Sequence, residues 1–149
     1  MIVRATISDV KRLTALAIES KSYWGYSNDV LESWTDALTV SEEMISKCQI
    51  FKFLVNHTAV GFYVLNPPEK RSIELEMLFV IPSFIGKGIG KQLIQHSFEI
   101  AFELKATSIT LVADPNAFSF YASKGFYEID RKESAIPGRL LPVMQKDLI

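Results

Sequence analysis

The chain has 149 residues, of which 48% are hydrophobic and 22% charged. That suits one compact domain spanning 1–149, with enough apolar surface to close a core and too much to remain disordered. Sixteen Lys and Arg against 17 Asp and Glu leave a formal net charge of −1, with no like-charge run beyond Lys70-Arg71 and Arg131-Lys132, so nothing calls for a nucleic acid or another polyanion as partner. Cys48 is the single cysteine. No intramolecular disulfide can form, and a reducing, cytoplasmic compartment is expected. The first residues lack the apolar stretch of a signal peptide, and no apolar run reaches membrane-spanning length, so a soluble protein is expected.

Residues 2–7 read as a strand, followed by the helix cap Ser8-Asp9 and a helix whose apolar positions Val10, Leu13, Leu16 and Ala17 recur at helical spacing to about Ser20. Tyr23-Trp24-Gly25-Tyr26 interrupts that spacing and reads as a loop. Ser27-Asn28-Asp29 caps a second helix through Leu31 and Trp34 to about Leu38, and Ser41-Glu42-Glu43 opens a short third. Residues 51–55 and 59–65 flank Asn56-His57 and predict a hairpin. After Asn66-Pro67-Pro68, residues 73–80 form another strand, ended by Pro82. Residues 107–113 read as a further strand, with Asp114-Pro115-Asn116 as its exit.

Between those last two strands lies the informative segment. Phe84-Ile85-Gly86-Lys87-Gly88-Ile89-Gly90-Lys91 runs into a helix whose apolar positions Ile89, Leu93, Ile100, Ala101 and Leu104 keep one face. Three glycines in five residues at a helix start let backbone N–H groups point outward, where the helix dipole adds positive potential and no side chain blocks approach. Lys87 and Lys91 add positive charge, which favours a diphosphate. The loop of nucleotide hydrolases requires a glycine where Ile85 stands and Ser or Thr where Gln92 stands; a dinucleotide fingerprint requires its third glycine three residues beyond the second, and Gly90 follows Gly88 by two.

Strand, Pro82, glycine loop and amphipathic helix together resemble the coenzyme A site of the GNAT acetyltransferases. That family's pattern is Arg or Gln, two residues, Gly, one residue, Gly or Ala; this chain has Gly88 and Gly90 in place and Ile85 where Arg or Gln would stand. Asn116-Ala117, Phe120-Tyr121 and Gly125-Phe126 resemble the family segment in which the Asn meets coenzyme A and the Tyr faces the departing sulfur. The resemblance covers essentially the whole chain. It implies an α/β (α+β) fold: a mixed, mostly antiparallel sheet flanked by helices, with the strands at 73–80 and 107–113 splayed to admit the cofactor. It implies acetyl-coenzyme A as co-substrate and no metal, and direct transfer of an acetyl group to a primary amine of a small molecule or peptide. Homodimers are common in the family, and that assembly stays open here. The contrasting reading is a non-catalytic acyl-coenzyme A sensor.

Moving an acetyl group from a thioester to an amine needs a neutral amine, a polarised carbonyl and a proton for the thiolate. The resemblance places Tyr121 as proton donor, and its bland alternative is a buried ring. An open strand edge at Leu78-Phe79-Val80 suits the amides of a pantetheine arm, and an amide of Leu78 or Val80 would polarise the carbonyl. Gly86, Lys87, Gly88, Ile89, Gly90, Lys91 and Asn116 complete the expected cofactor contacts. Glu74 and Glu76 share one face of their strand, and Glu76 is the better-placed base. His57 and His96 receive no catalytic role. On the acceptor side, Tyr26 and Arg139 are the candidates, Arg139 suiting an acceptor carboxylate; Trp24 and Trp34 are expected in the core.

Overall fold

The computed structural model describes residues 1–134, 136 and 138–148. Asn56 and His57 take φ of 50° and 64°. Two successive left-handed residues form the tight turn whose twist matches a hairpin, and it joins strand β2 (Gln49–Val55) to β3 (Thr58–Leu65). The short β1 (Ile2–Arg4) adds to β2, and β4 (Ser72–Val80) adds antiparallel to the other side of β3. Helix α5 (Ile89–Glu103) then crosses over to β5 (Ser108–Val112), which runs parallel to β4. The hairpin of β6 (Tyr127–Glu133) and β7 (Leu140–Asp147) closes the order β1-β2-β3-β4-β5-β7-β6. The expected mixed, mostly antiparallel sheet with splayed central strands is the architecture observed.

Helices α1 (Val10–Ser22) and α5 both pack across β3 and β4. That makes β3 a central strand, buried from Ala59 to Leu65. Gly61 lets α5 approach: a Cβ there would meet Leu93 Cδ1 and the Phe79 carbonyl at 3.0 Å. Leu13, Leu16, Phe62, Leu93, Ile109 and Met144 are fully enclosed, so one core serves both halves of the sheet. No helix among the described residues is long and apolar enough to cross a membrane.

Several local expectations need correction. The first strand stops at Arg4 because Thr6 and Asp9 close a capping box that starts a 3-10 turn. The second helix divides into α2 (Asn28–Ser33) and α3 (Thr35–Leu38) around Trp34, whose backbone leaves the helical region as its indole packs edge-on against Tyr26. The short helix opened by Ser41 is α4 (Glu42–Lys47). On α5 the buried positions are Ile89, Leu93, Ile94, Ser97 and Ala101, whereas Leu104 is exposed at the helix end. His96 turns inward from α5, and its Nδ1 lies 2.7 Å from the hydroxyl of the enclosed Tyr63.

Candidate active site

Strands β4 and β5 pair only through Ser72–Glu74 and Ser108–Thr110 and part beyond them. A bulge starts the divergence: Leu65 faces Leu75 and Val64 faces Met77, leaving Glu76 as the extra residue. Val80 lies opposite Gly61 while the Ile81 amide donates to the Val60 carbonyl at 2.9 Å. That is a non-hydrogen-bonded pair, so the N–H and C=O of Val80 turn away from β3, as do those of Leu78 two residues earlier. Between the parted strands lies a trough of about 620 Å³. Leu78, Phe79 and Val80 line one side, the glycine loop closes one end, and Leu111, Asp114, Asn116, Phe120 and Tyr121 form the other side.

At the closed end, Gly86 and Gly88 adopt φ of 85° and 79°, conformations that glycine takes without penalty. The first helical hydrogen bond of α5 runs from Gln92 to Gly88. The Lys87 amide closes the turn over Ile85-Gly86, and the amides of Gly86 and of residues 88–91 reach no acceptor among the described residues. Such donors, three of them in the first turn of a helix, can receive an anion. Gly86, Gly88, Ile89, Gly90 and Lys91 line the trough there. Lys87 is outside that lining, its ammonium 4.9 Å from the centre of the Phe84 ring. Ile85 lines the trough and is exposed, offering an apolar surface where the family pattern has Arg or Gln.

Helix α6 (Phe118–Ser123) carries Tyr121, whose ring is buried against Phe120 and Phe126. The phenol donates to no group among the described residues. Burial, and secondarily the Asp114 charge, push its pKa well above the usual phenol value, so it stays protonated through the neutral range.

Beside it stands a group that the sequence reading missed. Asp114 Oδ2 accepts hydrogen bonds from Lys21 Nζ at 2.6 Å and from the Tyr26 hydroxyl at 2.7 Å, and lies 3.5 Å from Arg139 Nη2. Its Oδ1 accepts from the backbone and side-chain amides of Asn116, both at 2.9 Å. Burial resists ionisation of Asp114, but the bonds from Lys21, Asn116 and Tyr26 outweigh it and hold the pKa below the usual carboxylate value. Tyr26 and Arg139 are brought together, Arg139 Nη2 donating to the Tyr26 hydroxyl at 2.6 Å. Both stand behind the trough wall, outside its lining. Burial and the Asp114 hydrogen bond raise the Tyr26 pKa.

Adjacent residues of α1 reach the two parted strands: Ser20 Oγ donates to the Val80 carbonyl at 2.8 Å, and Lys21 holds Asp114 beyond β5. Glu76 lines the trough near α3; Glu74 is outside the lining. One amide joins them, Asn66 Nδ2 donating to Glu74 at 2.9 Å and to Glu76 at 3.0 Å. Trp24 is not a core residue. The loop after α1 carries it over the trough, where it is 46% exposed. Trp34, half-buried, packs against the core as expected.

Residues 15–126 match the acetyltransferase (GNAT) family, and the chain belongs to it. Its members are N-acetyltransferases that use acyl-coenzyme A. Among solved structures, the PaiA N-acetyltransferase of Thermoplasma acidophilum in complex with coenzyme A is 24% identical, covers 99% of this chain and 98% of its own, and superposes with a TM-score of 0.85. A GCN5-related N-acetyltransferase of Rhodopseudomonas palustris is 24% identical over 99% of this chain and 94% of its own, with a TM-score of 0.81. The ribosomal-protein-S18-alanine N-acetyltransferase of Escherichia coli is 17% identical over 99% and 93% of the two chains, with a TM-score of 0.72.

Proposed function

We propose that the chain is a single-domain, acetyl-coenzyme A-dependent transferase that moves an acetyl group directly to a primary amine of a small molecule or peptide. The observation that carries this reading is the set of unpaired amides at Gly86 and residues 88–91, at the end of a trough whose far side presents the Tyr121 phenol. Acetyl-coenzyme A supplies, when bound, an activated thioester carbonyl. The amides of Gly86 and of residues 88–91, with Lys91, would hold its diphosphate. The edge of β4 that parts from β5 offers the backbone of Leu78 and the N–H of Val80, whose carbonyl Ser20 holds, to the pantetheine amides, and one of those N–H groups polarises the carbonyl. Ile85 leaves this grip to backbone groups.

Glu76 accepts a proton from the acceptor ammonium, directly or through a water, while Asn66 orients its carboxylate. The C–N bond forms, the C–S bond breaks, Tyr121 gives its proton to the sulfur, and the remaining proton that nitrogen sheds on becoming an amide returns through water to the Tyr121 phenolate. Asn116 is held at the trough by Asp114, so its own placement depends on that carboxylate. A thiol-release assay with product mass measurement tests this. The wild type yields free thiol and acetylated amine in equal amounts, and Tyr121→Phe lowers turnover by roughly 10²-fold or more, with acetyl-coenzyme A affinity changed less than about threefold. Undiminished turnover in Tyr121→Phe would remove Tyr121 as the acid.

A further inference from the structure

We infer that the acceptor is a monoamine carried on an apolar, preferably aromatic, body, and not a polyamine or a basic peptide. The inference rests on the transferase reading and specifies its substrate class. Two independent observations carry it.

The first is an apolar part of the trough lining. Trp24 is 46% exposed and lines the trough, with the Tyr23 ring edge-on behind it at 5.0 Å between centroids. Ala37 and Leu38 of α3 belong to the same lining and add no polar side chain. A half-exposed indole braced by a second aromatic at the mouth of a cavity is apolar area that a ligand gains by covering. Its face also suits a ring or a single ammonium.

The second observation is the charge arrangement. Among the described residues, the charged side chains that line the trough are Lys21, Glu76, Lys91 and Asp114. Lys91 belongs to the glycine-loop end. Asp114 is neutralised by Lys21 at 2.6 Å and is further approached by Arg139 at 3.5 Å, so that cluster holds two cations around one carboxylate. Glu76 is then the one acid in the lining left for an ammonium. A second ammonium that reached the Asp114 side of the trough would approach Lys21, with the Arg139 charge behind the wall, and a carboxylate already neutralised by Lys21. In a partly dehydrated trough, that like-charge approach costs affinity.

The test is calorimetric titration of the purified protein with phenethylamine and with spermidine, each with and without saturating coenzyme A. Phenethylamine should bind at least about tenfold more tightly than spermidine. Trp24→Ala should weaken phenethylamine about tenfold while leaving coenzyme A affinity within about twofold, since an aromatic contact of this kind carries roughly that factor. Spermidine binding as tightly as phenethylamine, or phenethylamine affinity unmoved by Trp24→Ala, would overturn the inference. The coenzyme A titration on the same samples reads the transferase proposal separately: its absence would sink that proposal, while the order of the two amines still decides this one.

Discussion

Glu76 owes its place to the alternation of β4. Ile73, Leu75 and Met77 turn to the buried side, so Glu76, like Glu74, turns its carboxylate to Asn66, and of the two Glu76 lines the trough. Because its proposed role is to take a proton from an ammonium, its removal should matter most where the amine is charged. Glu76→Gln is expected to lower kcat/KM by roughly 10²-fold near pH 7 and to approach the wild type as pH nears the amine's own pKa, about 10. A pH–rate profile parallel to the wild type's would exclude Glu76 as the base. Tyr121 differs in that its environment was not written in its neighbours along the chain. Position in the family segment indicated the residue, but its burial against Phe126 and its exposure to the Asp114 charge are products of packing.

Elements fixed by local chemistry were legible. Asn56-His57 announced the β2–β3 hairpin because both residues tolerate a left-handed turn, and Gly86, Gly88 and Gly90 announced a turn into a helix start. At this scale Gly88 is the sensitive point, since its φ of 79° is taken with open space around the Cα. Gly88→Ala should cost about 1 kcal/mol, near 3 °C in Tm, through backbone strain alone, and should also weaken acetyl-coenzyme A binding by reorienting the amides. Thermal melting and titration of the variant check both effects; unchanged cofactor affinity would show that the cradle does not depend on this turn. Less legible were the loop and helices of residues 23–38. Apolarity alone placed Trp24 and Trp34 in the core together, and only the path of the loop after α1 separates an indole over the trough from one packed on Tyr26. Helical spacing likewise carried one helix through Trp34, where tertiary packing divides it.

Across the whole molecule, the glycine-loop end of the trough comes mostly from contiguous sequence, and the Asp114 cluster does not. Lys21, Tyr26 and Arg139 meet at Asp114 across chain separations of 93, 88 and 25 residues, a convergence that no periodicity or motif reveals. In the sequence Asp114 itself showed only as part of a strand exit. This cluster ties α1, the loop after it, the end of β5 and the segment before β7 into one body around the trough, and it should carry an acid-dependent share of stability. The folded-state pKa of Asp114 lies below its ordinary 3.8. Its contribution is therefore fully present above that value and is lost as pH falls through the depressed folded pKa. Asp114→Asn should cost about 2 kcal/mol at pH 7, near 6 °C in Tm, and the gap to the wild type should narrow between pH 4 and 2. Melting curves across that range decide it; a gap independent of pH would mean that the charge of Asp114 does not matter to the fold.

The central claim is that the glycine loop and the parted strands hold acetyl-coenzyme A. The most direct measurement is calorimetric titration of the purified protein with acetyl-coenzyme A, with ATP and NAD as controls. Saturable, one-site binding in the micromolar range, at least about tenfold tighter than for either control, is the predicted result. No binding, or equal binding of all three, would contradict the claim and with it the assignment of residues 86–91 as a coenzyme A cradle.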